Sequence, residues 1–457
     1  MTIAHERLVV IGGDAAGMSA ASQARRRRPD LEILVFERSP HTSYSACGIP
    51  YYVGKVVEDA EALIARSPET FREKHDIDAR IGHEVQEIDL RQRRVHVQNL
   101  ETGKTWREPF DHLLIATGAV PLYPDVPGAD AQGLYGVSTL ASGIAVRKAV
   151  DQEHPQRAVI IGGGYIGLEM AEGLVMRGLH VALVERSPQV MNTLDPDMGA
   201  LVSAALRDVG VSLYLEESLQ GFDSNNGRVQ AVVTEKRTLP ADLVILGMGV
   251  RPNTKLAAGA GLPLGEKDAI QVNERLHTGV ENVWAAGDCV QSFHLVSKRP
   301  FYVALGTVAN KQGRVAGINI GGGAASFPGV VGTAVSKICA VEVARTGLQE
   351  KELQDLGLAY VHATIESRTR AGYYPGAGHI TVKVFAEKGS GRLLGGQIVG
   401  TEGAAKRIDV FATALYAGLT VQEMINLDLS YAPPYAPVWD PLLVAVRQVA
   451  KQVESDD

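Results

Sequence analysis

The chain has 457 residues, enough for about three domains at ~100–200 residues each. With 45% hydrophobic and 21% charged residues it reads as globular, which excludes disordered and fibrous classes, and a formal charge of −7 leaves no net basic face for nucleic-acid phosphates. The 3 cysteines, Cys47, Cys289 and Cys339, are too few and too scattered for a disulfide framework or a metal site, so no metal is expected and a reducing compartment fits best.

Met1 runs into the apolar stretch Leu8–Ile11 without a cleavage pattern, and no uninterrupted apolar run reaches the ~18 residues of a membrane span, so a cytoplasmic location is expected. The segment Arg7–Ala21, RLVVIGGDAAGMSAA, passes from an apolar run through a glycine cluster into a helical period, and predicts strand, turn and helix. A second strand, LEILVFE, closes at Glu37. The same pattern recurs as RAVIIGGGYIGLEMAE at Arg157–Glu172, with HVALVE closing at Glu185. Between and after these units, HLLIATGAVP (His112–Pro121) and TGVENVWAAGDCV (Thr278–Val290) read as strands running into glycine turns. From about Val331 the texture changes. His379–Glu387 and Leu393–Gly400 alternate and predict antiparallel strands with one solvated face, followed by a helical pattern at Lys406–Ala417 and a proline-rich segment at Tyr431–Pro441. The glycine-rich stretch 321–330 reads as the linker into this α+β region.

Each glycine cluster has the layout of a βαβ dinucleotide-binding turn. In the second, Gly162, Gly164 and Gly167 stand at G-x-G-x-x-G spacing, for the tight turn, the close approach of a pyrophosphate and the packing of helix on strand. Glu185 and Glu37 follow the last glycine of their motifs by about 20 residues, where a carboxylate accepts from ribose hydroxyls. Glu185 favours NADH, whereas the neighbouring Arg186 could receive the 2′-phosphate of NADPH. The first motif keeps Gly12 and Gly17 but has Asp14 at the second glycine position, either crowding the pyrophosphate or capping the helix.

These paired units, the ATG turn at Ala116–Gly118 and the AAGD turn ending at Asp288 resemble the pyridine nucleotide-disulfide oxidoreductase family over nearly the whole chain. The resemblance implies an α/β fold with two Rossmann-like dinucleotide-binding domains and an α+β C-terminal dimerisation domain: FAD-binding at 1–150, NAD(P)H-binding at 151–275, FAD-binding again at 276–325 and dimerisation at 326–457. For FAD it implies Gly12, Asp14, Ala15, Ala16, Glu37, Arg38, Ser45, Ala116, Thr117, Gly118 and Asp288. For NADH, with NADPH as the alternative, it implies Gly162, Gly164, Tyr165, Ile166, Gly167, Glu169, Glu185, Arg186 and Gly249. Tyr165 matches an aromatic over the isoalloxazine, and Glu169 a carboxylate near the nicotinamide.

Cys47 lies in SYSACGIPYY with no second cysteine in the segment, unlike the dithiol members of the family. Ser43, Cys47, Gly48 and Pro50 resemble the signature of a single-cysteine branch that includes coenzyme A disulfide reductases, NADH oxidases, NADH peroxidases and persulfide reductases. A lone thiol is nucleophilic only as thiolate, and a helix starting near Cys47 is expected to lower its pKa. The branch further implies Tyr373 and Tyr431, reaching over from the partner of a homodimer, as catalytic groups; each could equally be a turn or core residue, and Tyr374 and Tyr435 are neighbours in the same clusters. It implies Gln23, Arg26 and Ser43 as contacts to coenzyme A, although the run Arg25–Arg28 also suits a helix C-terminus on dipole grounds alone. Ala46 replaces the asparagine common before the cysteine in coenzyme A reductases. The expected activity is NAD(P)H-dependent reduction of coenzyme A disulfide, or a related persulfide or polysulfide, through a Cys47 mixed disulfide. The alternative is an NADH oxidase or peroxidase working through a Cys47 sulfenic acid.

Overall fold

The protein is described by a computed structural model, which covers residues 6–454. Both predicted βαβ units form. Strand Arg7–Ile11, helix Ala15–Arg27 and strand Glu32–Glu37 open a parallel five-stranded sheet, whose middle strand pairs on its other side with His112–Ile115. Strand Arg157–Ile161, helix Tyr165–Met176 and strand His180–Glu185 do the same in a second parallel sheet, flanked by Leu243–Leu246. The central strands are buried along their apolar length, as continuous β-branched runs covered on both faces must be.

The two sheets interlock in sequence. Strand Leu134–Gly136 pairs with Leu243–Leu246 of the second sheet, and Val283–Ala285 returns to the first beside His112–Ile115. Where the chain passes between them, Ala119–Pro121 pairs antiparallel with Val250–Pro252, and the Thr117 hydroxyl donates to the Asn253 carbonyl at 2.6 Å. The segment 321–329 carries no regular structure.

The last region is an antiparallel five-stranded sheet in the order Ala334–Ile338, Val341–Gly347, Leu393–Gly400, His379–Glu387, Tyr360–Arg368. The expected solvated face does not exist on its inner strands, because every residue of Leu393–Gly400 is buried. One side is covered by helices Ile408–Ala417 and Pro441–Glu454. On the other, Lys383, 3% exposed, meets Asp195 at 3.2 Å and Asp197 at 2.9 Å from the second parallel-sheet domain. Alternation in residue type here records two different covered faces, and true polar alternation belongs to the edge strand Tyr360–Arg368.

Candidate active site

A cleft of about 2340 Å³ runs from the first glycine turn to the second, past Cys47. Its floor at one end is lined by Gly12, Asp14, Ala15, Glu37, Arg38, Ser45, Ala116, Thr117, Gly118 and Asp288. At the other it is lined by Gly162, Gly164, Tyr165, Ile166, Glu169, Glu185, Arg186 and Gly249. Ala16 and Gly167, expected on the same surface, lie just beneath it: a Cβ on Gly287 would stand 2.8 Å from Ala16, and one on Gly167 would stand 2.1 Å from the Gly162 carbonyl oxygen.

The two turns are built alike. Gly12 and Gly162 have φ of +108° and +103°, a conformation only glycine takes without strain, and a Cβ on either would strike a backbone carbonyl from the neighbouring strand end. At the second glycine position the space is open, with nothing within 4 Å of a Cβ on Gly164, so a dinucleotide backbone can approach there. Each distal acid also braces its own turn. Glu37 accepts from the Gly13 and Ser39 N–H groups at 2.8 and 2.7 Å, and Glu185 accepts from Gly163 and Ser187 at 2.7 and 2.9 Å. This bracing was not foreseen; the acid's fixed spacing after the glycines was its only trace in the sequence.

Asp14 occupies the N-cap position of its helix but does not cap it with its side chain. Its Oδ1 instead accepts from the Tyr44 N–H at 3.1 Å, tying the first turn to the segment that carries Cys47. Burial pushes the Asp14 carboxyl up to about 6. Asp288 is likewise pushed up to about 6 by burial, and its Oδ1 is buried without a hydrogen-bond partner. A buried, orphaned acceptor on a residue that lines the cleft beside a glycine cradle fits the hydroxyl-rich ribityl chain of a flavin.

Cys47 sits in a turn of 3-10 helix, Ala46–Gly48, followed by the five-residue helix Ile49–Val53. Its thiol is exposed to the cleft. The expectation of a lowered thiol pKa is corrected. Burial, then the charges of Glu169 and Asp288, push it up, and a helix of barely more than one turn has too small a dipole to offset them. The turn is held firmly. Gly54 and Gly173 meet backbone to backbone, with a Cβ on Gly54 only 3.0 Å from the Gly173 Cα. The last carbonyls of the short helix accept from two arginines, Arg147 at Tyr52 and Arg177 at Val53, and both arginines are paired to Asp151. The two arginine contacts to the short helix were not anticipated from the sequence, because they join residues 95 and 124 positions apart.

On the side of the second turn, the Tyr165 hydroxyl accepts from Thr193 at 3.4 Å. Glu169 Oε1 accepts from the Ser336 hydroxyl at 2.6 Å, and burial pushes its carboxyl up. Ser336 belongs to the antiparallel sheet and was not anticipated.

Five expected residues lie outside this cleft. Tyr373 and Tyr431 are 78% and 47% exposed, and they face each other closely enough that Tyr373 pushes the Tyr431 phenol up. Ser43 adopts φ +48° and ties the Cys47 segment to the first turn, its N–H donating to the Gly13 carbonyl at 3.0 Å. Gln23 packs against Gly317, and Arg26 is exposed further along the same helix. Arg25 and Arg28 are spent on the helix end, binding the Asp76 carbonyl and Asp30. Cys289 is fully buried and Cys339 nearly so, leaving Cys47 as the accessible thiol.

Comparison with known proteins places this architecture. Residues 6–313 match the model for pyridine nucleotide-disulphide oxidoreductases, and residues 333–441 match that family's dimerisation domain. A relative from Pyrococcus abyssi, a CoA-dependent NAD(P)H sulfur oxidoreductase, is 40% identical over 96% of this chain and 97% of its own. An NADH oxidase from Methanocaldococcus jannaschii is 35% identical over 98% of this chain and 100% of its own. The solved NAD-dependent persulfide reductase from A. fulgidus superimposes with a TM-score of 0.95 at 38% identity, covering 98% of this chain and 83% of that one. The chain therefore belongs to the pyridine nucleotide-disulphide oxidoreductase family, and is an oxidoreductase that works with FAD and NAD(P)H.

Proposed function

We propose that the chain reduces coenzyme A disulfide, or a related coenzyme A persulfide or polysulfide, with electrons from NAD(P)H and Cys47 as its one redox thiol. The observation that carries this reading is the position of Cys47. It is the accessible thiol of the chain, in a cleft between a flavin-type acceptor, Asp288, and the nicotinamide-side pair Tyr165 and Glu169. The CoA-dependent Pyrococcus relative supports the choice of acceptor.

FAD, held by the first glycine turn, Glu37 and Asp288, would supply the two-electron relay between the reduced nicotinamide and sulfur. Cys47, as thiolate, attacks one sulfur of the disulfide, forming a Cys47–coenzyme A mixed disulfide and releasing the first coenzyme A thiolate. The leaving sulfur takes a proton from the tyrosine pair Tyr373 and Tyr431 of a second copy. Their exposure, and their absence from the lining of their own chain's cleft, favour a homodimer in which they reach across. The electron pair then breaks the mixed disulfide, restoring the Cys47 thiolate and releasing the second coenzyme A, which is also protonated. In total NAD(P)H, one proton and the disulfide give NAD(P)+ and two thiols. Gln23 and Arg26, on the helix whose first residue lines the cleft, together with Ser43, face the nucleotide end of the substrate, where the exposed Arg26 guanidinium suits its phosphates. Three cysteines without a disulfide fit a reducing cytoplasm.

The Cys47→Ser variant tests the reading. It is expected to bind FAD and accept electrons from NADH normally in a single turnover, while losing coenzyme A disulfide turnover by about 100-fold or more, as loss of a nucleophile implies. Turnover with the disulfide at the parent rate contradicts it.

A further inference from the structure

Glu169 stands on the cleft-facing side of helix Tyr165–Met176, yet the group that fixes it comes from another domain. Ser336, 8% exposed on strand Ala334–Ile338, donates its hydroxyl to Glu169 Oε1 at 2.6 Å. The same strand and the turn after it grip the helix one turn further on, where Lys337 and the Cys339 N–H hold the two oxygens of Glu172 at 2.7 and 2.9 Å. The next strand reaches the helix start indirectly. Arg345 donates to the Thr193 carbonyl at 3.0 Å, and the Thr193 hydroxyl donates to that of Tyr165.

A glutamate on a helix has several rotamers to lose when a ligand binds, and a half-buried one also tends to take up a proton. A hydroxyl donor opposes both tendencies. It holds Oε1 in one place, favours the ionised form, and leaves Oε2 to accept from an amide N–H. The nicotinamide carboxamide is such a donor.

We propose that Ser336 is a positioning residue for nicotinamide binding, acting through Glu169, so that the dimerisation domain supplies part of the nucleotide site within its own chain. This rests on the reading that Glu169 faces the nicotinamide, but not on the identity of the disulfide substrate. The test is equilibrium binding of NAD+ to the oxidised holoenzyme, with NADH kinetics beside it, in the parent, Ser336→Ala, Ser336→Thr, Glu169→Gln and the Ala/Gln double variant. Ser336→Ala is expected to weaken NAD+ binding and raise the KM for NADH about tenfold, the size of a hydrogen bond to a charged group, with kcat little changed. Threonine, which keeps the hydroxyl, restores binding. In the Glu169→Gln background the alanine substitution costs clearly less than in the parent, since the charge-assisted part of its effect passes through the carboxylate. The same weakening on top of Glu169→Gln, or none in the single Ser336→Ala variant, overturns the proposal. Unchanged NAD+ binding in Glu169→Gln alone overturns the placement of Glu169 itself, while leaving the role of Cys47 standing.

Discussion

At Asp288 and Asp14, burial sets the chemistry of a single side chain. Both carboxyls are pushed up to about 6 by burial, above the ordinary aspartate value, so in flavin-stripped protein each stabilises the fold fully only below about pH 4 and loses that contribution as pH rises through about 6. The shift of Asp288 corresponds to a contribution on the order of 2–3 kcal/mol. Flavin-stripped protein is therefore expected to melt at a lower temperature at pH 8 than at pH 5, and Asp288→Asn is expected to shrink that difference. A melting temperature with the same pH dependence in parent and variant would remove Asp288 as its source. The glycine turn before it singled this aspartate out in the sequence, whereas its buried, unpaired Oδ1 left no trace there.

The short helix Ile49–Val53 decides where Cys47 points, because its packing is set by backbone rather than side chains. Gly54 and Gly173 leave no room between this helix and the one bearing Tyr165 and Glu169. In Gly173→Val the new Cβ would stand 3.1 Å from the Pro50 carbonyl oxygen, and its branches closer, so the Cys47 turn must move away. That variant is expected to keep FAD and its secondary structure but lose disulfide reduction by at least about tenfold, since small misplacements of reacting groups are costly. Full activity would show that the turn is positioned by something else. The long elements on either side were readable, as apolar runs at strand period followed by glycine and helical period carry their own signature. This helix was foreseen only as a start near Cys47, and its length of five residues, which cancels the expected dipole effect on the thiol, left no periodic trace.

At the scale of the molecule, the sequence displayed the two dinucleotide units and the change of texture near Val331, because both are local patterns. It did not display how the parts are joined. The bond from Ser336 to Glu169 spans 167 residues, and the contact of buried Lys383 with Asp195 and Asp197 made a polar-looking strand position part of a domain interface. Tyr373 and Tyr431, from segments 58 positions apart, meet each other on the exposed surface, another pairing that no local pattern records. The account as a whole turns on one accessible thiol, Cys47. Intact-protein mass spectrometry of the oxidised enzyme after exposure to coenzyme A disulfide measures its chemistry directly. One coenzyme A adduct per chain on Cys47, released by NADH, is the predicted result. A single added oxygen on Cys47 with no adduct would contradict the account in favour of oxidase chemistry.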